Sequence, residues 1–114
     1  MPAAYADALL RIWRTEEPPG LRLVGQVDIT NQVAFMGQLL ALDGAPTHLT
    51  VDLREVSFVS FAALHVLVTF AVLLDPDRRL VVHTKSPAPA QMLRVCGWDR
   101  PAVPITLLEE IDDD

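Results

Sequence analysis

The chain has one cysteine, Cys96, five glycines, and only nine Lys and Arg residues against fifteen Asp and Glu. Each scarcity removes a class of protein. A lone thiol forms no internal disulfide, which excludes a disulfide-held secreted scaffold and fits a reducing, cytoplasmic setting. Cys96 falls in "QMLRVCGW" at core spacing, where it reads as a small buried hydrophobe rather than a nucleophile. A net charge of -6 repels a phosphate backbone, so nucleic acid is not expected as a partner. There is no "GxxxxGK", "GxGxxG" or "GxSxG". His48, His65 and His83 stand far apart without Cys or carboxylate at ligand spacing, so no metal and no cofactor is expected. His48 and His83 suit strand ends. Asp28 and Asp52 are the candidates for a carboxylate pair, but Asp28 suits a turn or cap. Asp52 reads as part of a strand, near its C-terminal end. No catalytic residue is assigned, and the chain reads as a non-enzyme. Its N-terminus lacks a signal-peptide pattern, and no repeat, linker or low-complexity tract interrupts it.

What is present is a globular balance of 51% apolar and 21% charged residues over 114 positions, enough for one domain spanning 1–114. "ALLRIWRT" alternates as a strand with Leu10 and Ile12 on one face. "EEPPG" turns it, and "LRLVGQV" returns as a hairpin partner. "DITN" offers capping residues to a helix over "QVAFMGQLLALDG", with Val33, Met36, Leu39 and Leu40 at helical spacing and Gly44 as its stop. "THLTVDL" reads as a central strand buried on both faces. "FAALHVLVTFAVLL" is a helix by length and composition, ended by "DPD". "RLVVHT", "APAQMLRVCGW" and "PITLL" follow as strand, helix and strand. The charge-free run from Val56 to Leu74 nears membrane-spanning length. Its Ser57, Ser60, His65 and Thr69 favour a buried junction instead, and no membrane insertion is expected. Strands alternating with helices imply a sheet with parallel crossovers, and helices on one or both faces.

Three stretches in order, "LRLVGQVDITN", "THLTVDLREVSFVSFAALHVLV" and "SPAPAQMLRVCGWDRPAVPI", resemble the signature regions of a STAS domain. The likeness is to stand-alone anti-sigma factor antagonists. It implies an α/β fold: a mixed sheet of four to five strands, central strands parallel, with three to four helices. It also implies a bacterial-type regulator of transcription that acts by binding protein. In that family the second region ends in Asp-Ser-Ser/Thr-Gly-Leu, which lies here on Ser60, Phe61, Ala62, Ala63 and Leu64. The hydroxyl that a partner kinase phosphorylates falls on Phe61, which has no oxygen to accept a phosphoryl group. Ser60 reads as the helix N-cap, with a displaced phosphosite as the alternative. Ser57 reads as a satisfied loop or strand hydroxyl.

The resemblance places partner binding on Gln26, Asp28, Thr30 and Asn31 and on the helix start at Ser60, Phe61 and His65. The partner implied is an anti-sigma factor of kinase-like fold, or another STAS-binding protein; a homodimer is a further possibility. Other readings are a STAS subunit of a transporter ATPase complex, a scaffold subunit of a larger STAS assembly, and a small-ligand module. The helix from Phe61 carries no charge before Asp75, so it offers two apolar stripes. Leu64, Leu67, Ala71 and Leu74 form one, expected in the core. Phe61, His65, Val68 and Val72 form the other, expected outside.

Overall fold

The structure is a computed structural model describing residues 2–42, 48–74, 77–98, 100 and 102–110. Its elements run β1 (Tyr5–Ala6), β2 (Leu10–Glu16), β3 (Pro19–Val27), α1 (Gln32–Leu40), β4 (Leu49–Val59), α2 (Phe61–Leu73), β5 (Leu80–Thr84), α3 (Pro87–Val95) and β6 (Ile105–Glu109). The strands stand in the order β1-β2-β3-β4-β5-β6. The first three pair antiparallel, and β3 to β6 pair parallel. The expected four to five strands become six because the two-residue β1 adds an edge too short to show periodicity.

Each crossover from β3 onward steps one strand in the same direction. Right-handed connections of that kind put all three helices on one face of the sheet. Burial agrees. Leu10, Ile12, Leu21, Leu23, Leu49, Val51, Leu53, Leu80 and Val82 share one core with Phe35, Leu39, Leu64, Leu67, Ala71 and Leu93 from the helices. The opposite face is partly open. Trp13, Arg22, Asp52, His83 and Leu108 occupy successive partner positions across five strands, and Arg22 lies 5.2 Å over the Trp13 ring.

Three expectations need correction. β4 is central, yet it is buried on one face only, since Thr50 and Asp52 are half-buried. It also continues to Val59, so Asp52 lies near its start rather than its end. On α1 the buried residues are Phe35 and Leu39, whereas Val33, Met36 and Leu40 are exposed. That helix is apolar on both sides, and periodicity alone does not rank two stripes. The expected stop at Gly44, Asp75 and Pro76 of "DPD", and the terminal acidic run lie outside the described residues; α1 itself ends at Leu40 and α2 at Leu73.

Two glycines let the sheet close up. A Cβ at Gly20 would lie 1.7 Å from the Thr50 carbonyl oxygen. Gly25 has φ +119 and faces the Leu9 carbonyl oxygen at 2.0 Å from where a Cβ would be, next to a register shift against β4. Only glycine fits such a bulge without strain.

Candidate functional site

The carboxyl ends of parallel strands are where a sheet of this kind exposes backbone and helix starts to ligands. Here β3 and β4 end together at the pair Val27 and Val59, and the Ser60 N–H donates to the Val27 carbonyl at 2.9 Å. Beyond Val27 lies the loop 28–31; beyond Val59 lies α2. One hydrogen bond therefore sets the loop and the helix start side by side.

Ser60 caps α2. Its backbone is extended at φ -69, ψ 158, and its Oγ accepts from the Ala63 N–H at 3.1 Å. This satisfies one of the free amides at the helix start. Phe61, the first helical residue, is 56% exposed. Ala62 is half-buried behind it. His65, one turn on, is exposed. Trp98 joins them. Its ring centroid lies 5.3 Å from that of Phe61 and 5.6 Å from that of His65, both tilted. Sequence reasoning passed over Trp98, although "CGW" carries a signal. Gly97 adopts φ +70, its N–H donates to the Arg94 carbonyl, and the Trp98 N–H donates to the Leu93 carbonyl. This paired closure of a helix end turns the chain back, and it brings the indole onto α2.

The loop is held from inside. Asn31, 1% exposed, donates from Nδ2 to the Gln26 carbonyl at 3.0 Å and accepts at Oδ1 from the Asp28 N–H at 2.9 Å. Asp28 Oδ1 accepts from the Thr30 N–H at 2.9 Å and from its hydroxyl. Asn31 is thus spent within the protein and shapes the surface instead of forming it. Gln26 and Thr30 are exposed, and Asp28 is half-buried.

Between α2 and α3 an open groove of about 440 Å³ is lined by Phe61, Ala88, Gln91, Met92, Val95 and Cys96. No lining residue is charged, and Val95 is 87% exposed. Cys96 is half-buried at the end of α3, not in the core, because the helix closes there and turns outward. The α2 stripes also differ from expectation. Leu64, Leu67 and Ala71 are buried and Leu74 partly so, but Val68 is only 7% exposed. The exposed line is Phe61, His65, Thr69 and Val72, because neighbours on both flanks as well as the sheet cover α2.

The candidate carboxylates do not meet. Asp52 pairs across the sheet with Arg22, seven residues before the Val59 end beside which Asp28 lies. That is roughly 23 Å along an extended strand. Partial burial pushes the Asp52 carboxyl up, but hydrogen bonds from the Arg54 side chain and N–H outweigh it and hold it below the ordinary value. Ser57 Oγ donates to the Gly25 carbonyl at 3.2 Å, as a satisfied strand hydroxyl. His48 accepts at Nδ1 from the Arg79 N–H just before β4, and His83 sits near the end of β5. Among the described residues no helix is long and apolar enough to cross a membrane.

A family model described as "Mlab, STAS domain" matches residues 10–109, from the first residue of β2 to the last of β6. No curated protein matches. Among solved structures, an anti-sigma factor antagonist from Mycobacterium paratuberculosis aligns with a TM-score of 0.75 at 18% identity. The alignment covers 92% of this chain and 89% of that one. Identity that low speaks for a shared fold alone, and the family is shown by the model that spans β2 to β6. The chain belongs to the STAS domain family.

Proposed function

We propose that the chain is a non-catalytic regulator of the anti-sigma factor antagonist type, bound by an anti-sigma factor of kinase-like fold and lacking the family's phosphate switch. The observation that carries this reading is Phe61. It occupies the first turn of α2 beside the serine that caps the helix, exposed, where the family resemblance puts a phosphoacceptor hydroxyl. A phosphate at a helix start acts by adding charge and acceptor oxygens. A benzyl group adds neither, and with the uncharged groove beside it forms a permanent apolar contact instead. Gln26, Asp28, Thr30, Phe61 and His65 supply the contact surface, positioned by Asn31 and Ser60. Control then falls on abundance.

The test uses the protein with its kinase-fold partner and ATP. Intact mass and peptide mapping are expected to show no phosphate on residues 60–62. Phe61→Ser is expected to create an acceptor and to make binding ATP-dependent. His65→Glu is expected to weaken binding with circular dichroism unchanged, because a charge desolvated without a partner is costly. Stoichiometric phosphate on Ser60 in the parent protein overturns the lost switch. Unchanged binding by His65→Glu removes this helix face from the contact.

The same uncharged helix start favours a second reading, a STAS subunit held permanently on a transporter ATPase. Co-purification with such an ATPase, rather than with a kinase-fold protein, selects it.

A further inference from the structure

A second apolar surface runs along α1; only its first residue, Ile29, borders the contact surface proposed above, between Asp28 and Thr30. Val33, Met36 and Leu40 follow the three-and-four spacing of a helix–helix seam on α1, with Ile29 one turn ahead in the preceding loop. All four are exposed, Val33 at 79% and Ile29 at 76%. The other exposed residues from 29 to 41 are Thr30, Gly37 and Ala41, so the charges lie only at its two ends, Asp28 beside Ile29 and Arg14, whose guanidinium donates to the Ala41 carbonyl at 3.1 Å. At the C-terminal end of α2, which packs beside α1, Val72 and Leu73 are exposed as well. Exposed helix faces in soluble domains are ordinarily polar, and a contiguous apolar one marks a contact surface.

We propose that the outer face of α1 is the surface through which two copies of this chain pair. Charge selects that occupant. A chain of net charge -6 repels its own copies wherever acidic surface meets acidic surface. This face meets its copy without bringing like charges together. The acidic pair Glu109 and Glu110 lies at β6, three strands from the β3 on which α1 packs. An anionic bilayer is the poorer fit, since amphipathic membrane helices carry Lys and Arg along the polar face and α1 has none. Size agrees. The exposed side chains present roughly 600 Å² per copy, so a pair buries about 1,200 Å², at the lower end of the range for stable interfaces.

Gly37 sits at the centre of the seam. Glycine weakens a helix interior, and a Cβ at this position would meet nothing within 4 Å. The single chain therefore gives no steric reason for it, whereas a close approach of two helices does. A two-fold axis near Gly37 sets Val33 of one copy against Leu40 of the other.

The experiment measures the full chain alone by light scattering and sedimentation over a concentration series. The parent is expected to dimerise reversibly. Gly37→Glu, whose side chain has open space in the monomer, is expected to raise the dissociation constant by about tenfold or more while keeping the thermal midpoint at low concentration. Val33→Lys is the second variant should the first fail to fold. A parent that stays monomeric at its highest soluble concentration overturns the proposal, as does a dimer unaffected by both variants. Recruitment of a monomeric parent to uncharged phosphatidylcholine vesicles, lost in Gly37→Glu, overturns it in favour of a lipid surface. Loss by Gly37→Glu of a different bound protein overturns it in favour of that protein. The concentration series contains no kinase-fold partner, so a parent that stays monomeric there leaves the reading of the α2 start untouched.

Discussion

Ser60 carries two separate duties, and they can be taken apart by mutation. Its N–H ties the ends of β3 and β4 together, and its hydroxyl caps α2. Ser60→Ala keeps the first and removes the second. The expected result is a loss of about 1 kcal/mol in stability with the fold unchanged, read from urea unfolding. An unchanged midpoint would mean that water satisfies the Ala63 amide as well as the serine does. The neighbouring Phe61 shows what sequence reveals at this scale. Its missing oxygen is legible from one letter, whereas its tilted contact with Trp98 is not. That contact joins residues 61 and 98 through the turn at Gly97, and local periodicity contains no term for it.

Among elements, legibility follows how much of each signal is local. β2, β3, α2, β5, α3 and β6 are all evident in the sequence, because alternation, helical composition and turn residues coincide at their ends. The course of β4 past Leu53 is less evident. Arg54 and Glu55 are consecutive exposed residues, and they read as a loop, but a register shift between Arg22 and Val24 of β3 absorbs the extra residue and pairing resumes at Glu55. Facing is harder still. Val33 and Phe35 on α1 are equally apolar, and only the sheet beneath decides that Phe35 is buried. The glycine bulge gives an element-scale test. Gly25→Ala forces a side chain into φ +119 and against the Leu9 carbonyl. A destabilisation of about 1–3 kcal/mol is expected from the backbone conformation alone, with more from the clash. Chemical denaturation measures it; a loss below about 0.5 kcal/mol would show that β2 and β3 slide apart freely there.

For the whole molecule, acid is the informative stress. Asp7 accepts from the Tyr5 hydroxyl at 2.6 Å and from the N–H groups of Leu9 and Leu10, and these bonds, the tyrosine's foremost, hold its carboxyl below the ordinary 3.8. A carboxyl lowered in the folded state stabilises that state above its ordinary value and ceases to as pH falls through the lowered one. Asp52 acts in the same sense. Thermal midpoints are therefore expected to fall between about pH 5 and about pH 2, and Asp7→Asn to make that limb shallower. An identical acid limb in the variant would show that Asp7 is bonded equally well in the unfolded chain. The strand order has a consequence in time. Because β1 to β6 stand across the sheet in the order in which they are synthesised, each new strand from β2 onward docks on the edge left by the one before. No strand has to be inserted between two others, and each closure spans one turn or one helix. Ser60 reaches Val27 as soon as β4 is complete, before β5 and β6 exist. Trp98 arrives only after α3. The loop and helix start are thus assembled first as a bare platform, and the indole that steadies Phe61 is set on it only once α3 has closed.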